Sequence, residues 1–156
     1  MREILFRGKA INRNKGYHRT KYKNGDWVYG LITKLYDEQF ENLPAEMTNE
    51  YGVSGIEIDH NTIGQFTGLT DKNGKKIFEG DIVTADGYIF TVKFGKCGGA
   101  ANTDNFGYMG FYFEGFDEIT KNCIGYGLRN DICYFTEREV IGSIHDNPEL
   151  LKGDTK

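Results

Sequence analysis

The sequence predicts a mainly β protein of small antiparallel sheets, with a barrel-type C-terminal half and little helix. Three observations carry that prediction. The apolar inventory is dominated by rings, with 11 Phe and 10 Tyr against three Met, and aromatic and β-branched residues suit the pleated surface of strands. The 21 Gly against two Pro point to many tight turns rather than long helices. Asp86-Gly87 lies between two β-rich runs, a strong signal for a two-residue hairpin. A chain of 156 residues can bury roughly 68–70% of the surface its unfolded form exposes, which allows one or two small domains. Residues 1–61 read as an N-terminal β segment with a basic arm and an acidic loop, 62–151 as a C-terminal β core, and 152–156 as a polar tail.

Taken in order, Arg2 to Arg7 reads as a strand, with Ile4 and Phe6 on one face and Leu5 on the other. Lys9 to Lys23 is polar and turn-like, a connector or mobile loop. Asn24-Gly25-Asp26 makes a tight turn before a strand from Trp27 to Leu35, where Trp27, Tyr29, Leu31, Thr33 and Leu35 share one face by period two. Val28 and Ile32 lie on the other face, so this strand is expected to be covered on both sides. Asp37 to Glu50 is acidic, contains Pro44, and reads as an insertion or flexible loop. Tyr51 to Ile58 alternates as a strand with bends or a bulge at Gly52 and Gly55. Asp59-His60-Asn61 is a turn, and a strand from Thr62 or Ile63 to Phe66 ends at Gly68.

Asp71-Lys72-Asn73-Gly74 admits two readings. An aspartate followed by Asn and Gly resembles the start of a calcium loop, but such a loop needs alternating oxygen ligands and a closing glutamate, and Lys72, Lys75 and Lys76 crowd this one with positive charge. A turn is favoured, because Asn-Gly supplies the positive φ that a turn requires. Ile77-Phe78, the link Glu79-Gly80-Asp81, a strand from Ile82 to Ala85, the Asp86-Gly87 turn and a strand from Tyr88 to Phe94 follow. Tyr88, Phe90, Val92 and Phe94 are expected to face the core. Gly80-Asp81-Ile82-Val83 followed by a hairpin also looks like the opening of an SH3-like barrel, an analogy of fold that does not fix function.

Gly95 to Asn105 is a Gly-rich loop without the lysine and following helix of a phosphate-binding P-loop. Tyr108 to Phe116 is dense in aromatics, but its nearest charges are Asp104, Glu114, Asp117 and Glu118, so a core strand outweighs a surface that stacks bases. Arg129 to Phe135 and Glu139 to His145 complete the strands. Asn147-Pro148 stops the last of them, and Glu149 to Leu151 makes a short helical turn.

Cys97, Cys123 and Cys133 form no C-x-x-C pair and are expected to be reduced thiols, while His18, His60 and His145 make no local zinc pattern. No cofactor or metal is expected. No apolar run approaches the roughly 20 residues that cross a bilayer, and Met1 to Phe6 lacks a signal-peptide apolar region, so no membrane association and a cytoplasmic location in a bacterial host cell are expected.

Several blocks together resemble one family. They are Arg2-Glu3-Ile4-Leu5-Phe6-Arg7-Gly8-Lys9, Gly25-Asp26-Trp27-Val28-Tyr29-Gly30, Gly64-Gln65-Phe66-Thr67-Gly68-Leu69, the run from Asp71 to Val83, and the run from Val140 to Leu151. Each is similar, in the same order, to its counterpart in the YopX-like proteins of phages and prophages. The central block is the most specific, and the region from Gly95 to Arg138 adds only a general β pattern. The resemblance implies a small, mostly β phage protein, encoded in a bacterial virus or its integrated copy, and it supplies no catalytic residues.

Charge separates the functional readings. Residues 1–34 hold nine Lys and Arg against two acids, a net of +7, while the whole chain carries −4. Such a split marks either a nucleic-acid-binding arm or a basic segment packed beside acidic surface. The leading expectation is a non-catalytic binding or assembly module with a macromolecular partner from host or phage, and a homo-oligomer fits strands with apolar residues on both faces. The alternative is nucleic-acid binding through Arg7, Lys9, Arg13, Lys15, Arg19, Lys21 and Lys23. Catalysis is the weakest reading: His60 beside Asp59 and His145 beside Asp146 are chain neighbours whose side chains diverge, which does not make an acid–base pair.

Overall fold

The computed structural model describes residues 3–11, 22–35, 44–85, 87–97, 108–117, 122–127 and 137–151. The chain is mainly β and divides into two compact units, Met1–Phe66 and Thr67–Lys156. The division falls within a long strand, a few residues beyond the 61/62 boundary read from the sequence.

The first unit contains β1 (Phe6–Ala10), β2 (Trp27–Lys34), β3 (Ala45–Asn49) and most of β4 (Ile56–Thr70). All pair antiparallel, and the pairings close on themselves: β1 with β2, β2 with β3, β3 with β4, and β4 back to β1. A closed ring leaves no free strand edge within these four. Ala10, Val28, Ala45, Met47, Ile56 and Ile58 fill its core, with Phe6, Tyr22, Ile32 and Ile63 packed against them. Two glycines permit the tight closure. A Cβ on Gly8 would lie 2.5 Å from Ile58 Cδ1, and one on Gly30 would strike the Thr48 carbonyl oxygen of the paired strand.

Three sequence readings are corrected here. The stretch read as an acidic loop contains β3, with Met47 completely buried. Ala, Glu and Asn are poor strand formers, so this strand owes its state to partners on both sides. The strand read from Tyr51 begins only at Ile56. Gly52 and Gly55 have φ of 79° and 70°, and the Asn49 side chain accepts the N–H groups of Tyr51 and Val53, so this segment turns instead of extending. Finally, Asp59-His60-Asn61 does not end a strand. Arg7 pairs with Gly64 and Lys9 with Asp59, so β4 accommodates its extra residues as a bulge. The Thr62 hydroxyl, 6% exposed, accepts the Lys9 N–H at 2.8 Å and donates to the Asp59 carbonyl at 2.7 Å, restoring what the bulge removes from the ladder. Thr62→Val keeps the shape and loses both bonds, and is expected to cost about 1–3 kcal/mol in urea denaturation.

The second unit holds β5 (Lys76–Phe78), β6 (Asp81–Ala85), β7 (Tyr88–Cys97), β8 (Tyr108–Asp117), β9 (Asn122–Gly127), β10 (Glu139–Ser143) and a 3-10 helix at Pro148–Leu151. β5 adds to β4, and the other strands form a sheet of order β10-β6-β7-β8-β9. Its described pairings are open at β10 and β9, whereas a closed ring lies in the N-terminal unit, and this order does not establish the SH3-like barrel expected of the C-terminal half. The hairpin read at Asp86-Gly87 is present: Ala85 pairs with Tyr88, and Gly87 has φ 85°. Ile77, Val83, Ala85, Phe90, Val92, Phe113 and Val140 form the core. Phe90 and Val92 face inward as read, while Tyr88 and Phe94 at the ends of that face are 66% and 50% exposed. β9 was not read from the sequence, and the strand read at Arg129 to Phe135 lies outside the described residues.

The Asp71 turn fastens this unit. Oδ1 of Asp71 accepts the N–H groups of Asn73 and Lys75, at 2.8 and 2.9 Å, and Oδ2 accepts that of Val140 in β10 at 3.1 Å. Around it, the Lys72 N–H bonds the Arg138 carbonyl at 2.9 Å, and the Lys72 ammonium meets Glu139 at 2.7 Å. The tetrad is therefore a turn, as read, and among the described residues no group of three or more His, Cys, Asp or Glu could hold a metal ion. Gly80-Asp81 plays a related part. Gly80 has φ 79°, and Oδ2 of the buried Asp81 accepts the Phe78 N–H at 2.8 Å, shaping the link between β5 and β6.

Candidate functional site

Two cations of the basic segment, Arg7 and Lys9, converge on one aromatic ring. β1 and β2 set Lys9 opposite Trp27 and Arg7 opposite Tyr29, and side chains of such partners project from the same face of a sheet. The Arg7 guanidinium lies 4.4 Å from the Trp27 ring centroid and the Lys9 ammonium 5.4 Å from it. Both distances fall within the range where a cation is drawn to an indole face, a contact worth about 0.5–1 kcal/mol at exposed sites and more when desolvated.

The chain turns just before Trp27. Gly25 has φ 88°, and the Asp26 carboxylate accepts the Lys23 N–H at 2.7 Å. The Asp26 carbonyl accepts the Ala10 N–H at 2.8 Å, and the Gly25 N–H reaches the Ala10 carbonyl at 2.9 Å, so this turn is fastened to the end of β1. Tyr22 is fixed from a third direction by a bond of 3.2 Å between its hydroxyl oxygen and the Asn49 side-chain amide. Tyr22, Gly25, Asp26 and Trp27 thereby line an open depression of about 460 Å³. Two half-buried rings held by backbone and side-chain hydrogen bonds make a surface that needs little ordering on binding.

Of the seven basic residues singled out from the sequence, three are described. Arg7 is 5% exposed and stacked on Trp27, Lys9 is half-buried beside the same ring, and Lys23 is exposed at the mouth of the turn. Arg13, Lys15, Arg19 and Lys21 lie outside the described residues. Trp27 and Tyr22 were missed as site residues: Trp27 read only as one more apolar residue on a strand face. The usable signal was its position, as the single Trp of the chain, directly after a Gly-Asp turn and beside the basic run.

Of the paired groups considered for catalysis, the two carboxylates make local hydrogen bonds. Oδ1 of Asp59 accepts the backbone and side-chain N–H groups of Asn61, and Oδ2 of Asp146 accepts the Ser143 hydroxyl at 2.9 Å. Both are contacts within three residues of the chain. Among the described residues no helix is long and apolar enough to cross a membrane.

No curated protein matches the chain. A similar solved structure is the crystal structure of protein EF1440 from Enterococcus faecalis, at 24% identity over 96% of this chain and 98% of that one, with a TM-score of 0.40. The family model described as YopX protein matches residues 6–152. That span runs from the first residue of β1 to just past the 3-10 helix, and takes in both the Trp27 turn and the Asp71 turn. The chain belongs to the YopX protein family.

Proposed function

We propose that this protein is a non-catalytic binding module, acting in a bacterial cell that carries the phage or prophage encoding it, and that its ligand engages the Trp27 depression. The observation that carries the reading is the pair of half-buried rings, Tyr22 and Trp27, that line an open depression beside a tightly closed strand ring. Rings of this kind supply large contact area at low entropic cost and dominate binding energy where they occur at interfaces. The cytoplasm is the compartment this reading assigns. Affinity capture from infected or lysogenic cells tests it, with the wild-type chain beside Tyr22→Ala and Trp27→Ala chains of matched circular dichroism. The wild type is expected to retain a ligand or partner that both variants lose by about 10-fold or more, the consequence of removing roughly 1.4 kcal/mol or more of ring contact. A wild-type protein that returns alone and monomeric counts against it.

A second reading, nucleic-acid binding, is favoured by the cations gathered at the same ring. Arg7 is stacked and buried, so Lys9, Lys23 and the basic residues between them carry that reading.

A further inference from the structure

We infer that the Trp27 depression accepts a base of a single-stranded nucleic acid, with the neighbouring phosphates taken by Lys9 and Lys23. This rests on the Trp27 depression being a binding site, as proposed above. The chemistry of the lining argues for the ligand class. Tyr22 and Trp27 line the depression, and aromatic rings stack on any nucleobase, which is how proteins hold single strands without reading sequence. The Lys9 ammonium lies 5.4 Å from the Trp27 centroid, and Lys23 is exposed in the turn that precedes Trp27. A base stacked at the depression therefore brings its phosphates toward positive charge. From Arg7 to Gly30 the chain carries seven Lys and Arg against one acid, Asp26.

Two alternatives are disfavoured by the same residues. Two rings and a carboxylate are also the makeup of a cage for an alkylammonium group. An ammonium would here meet Arg7 and Lys9 already drawn to the Trp27 ring, and the Asp26 carboxylate is engaged by the Lys23 N–H. Duplex nucleic acid keeps its bases stacked on each other and unable to enter a side depression, so it would engage only the cations. Two acids oppose the binding: Asp26 lines the depression, and Asp59 faces Lys9 across β1 and β4. Their charge limits affinity at low salt and, because salt screens this repulsion as well, softens the fall of affinity with salt.

The single Trp makes the test direct, because all indole emission comes from this site. Oligothymidylate of about 15 nucleotides, a duplex of equal length and inorganic polyphosphate are titrated into the full chain at about 50 mM salt. The single strand is expected to quench Trp27 emission, and the duplex and polyphosphate to leave it nearly unchanged. Its affinity is expected to fall with salt at a log–log slope of about −1.4, the value for two neutralised phosphates. Lys23→Glu, a surface change, is expected to weaken binding about 5-fold or more while circular dichroism stays constant. Oligonucleotide that fails to bind, that binds without altering Trp27 emission, or that quenches no more than polyphosphate does overturns the inference. A protein partner that Trp27→Ala loses, alongside an inert oligonucleotide, sinks the nucleic-acid assignment and leaves the binding-module reading standing. If nothing that binds depends on Trp27, both fall.

Discussion

Gly30→Ala is expected to unfold the N-terminal unit or to destabilise it by about 3 kcal/mol or more. The added Cβ would strike the carbonyl oxygen of Thr48 and lie 2.8 Å from the Asn49 Cα. These are main-chain atoms of β3, held in register with Gly30 and Leu31 on one side and by β4 on the other. A flexible side chain could rotate away, but a strand locked in a closed ring can yield only if the ring opens. Opening it would expose Met47 and Val28, both completely buried. Gly74→Ala is the matched control. It also has an unfavourable position, φ 80°, but nothing lies within 4 Å of its Cβ, so its cost is that of the left-handed backbone alone, about 1–2 kcal/mol. Urea denaturation of both variants, followed by circular dichroism and Trp27 emission, checks the pair. Equal losses would mean that β3 moves aside, contrary to the closed ring.

Asp71→Ala is expected to have the second largest effect, about 2–4 kcal/mol, because it strips the acceptor from three backbone N–H groups at a site only 6% exposed. Asp71→Asn separates the contributions. Its remaining oxygen can serve Asn73 and Lys75, while its amide would point a donor at the Val140 N–H, so β10 is expected to loosen more than the turn. The same carboxylate sets a pH dependence. Burial pushes the Asp71 carboxyl up, but the N–H groups of Val140, Lys75 and Asn73 and the Lys75 charge together hold it below its ordinary 3.8. A carboxyl lowered in the folded state stabilises the protein fully above the unfolded value, and that contribution fades as pH falls through the folded value. The wild type is expected to lose stability as pH drops below about 4, and Asp71→Asn to lose less over that window. Parallel curves for the two proteins would show that another carboxylate governs acid unfolding.

The parts of the fold legible in the sequence were those with local causes. Asp86-Gly87 encodes its own hairpin, Asn73-Gly74 its own turn, and the alternation around Phe90 and Val92 its own inward face. What was not legible depends on partners distant in the chain. Ala45 to Asn49 is a strand because β2 and β4 flank it, and no property of Ala, Glu or Asn announces that. Asp59-His60-Asn61 has turn composition, yet the strand continues through it because Thr62 supplies Lys9 with a substitute acceptor. The candidate site failed for the same reason. Tyr22 and Trp27 are placed by Asn49 and by the end of β1, so the basic residues could be picked out while the ring they surround could not. The dense charge and glycine of residues 63–83 serve as fastening, with Asp71 and Asp81 both spent on backbone N–H groups.

The ring of pairings in the first unit has a consequence for synthesis. Phe6 faces Gln65 and Ala10 faces Ile58, so β1 cannot complete its contacts until β4 has followed it from the ribosome. Until then β1 and β2 are a pair with two unsatisfied edges, and contacts between such distant residues form slowly. That interval is when a nascent chain is most open to pairing with a neighbour. The unit that ends without edges is thus the one most exposed while it is being made, and chains halted before residue 58 should be the ones that chaperones hold.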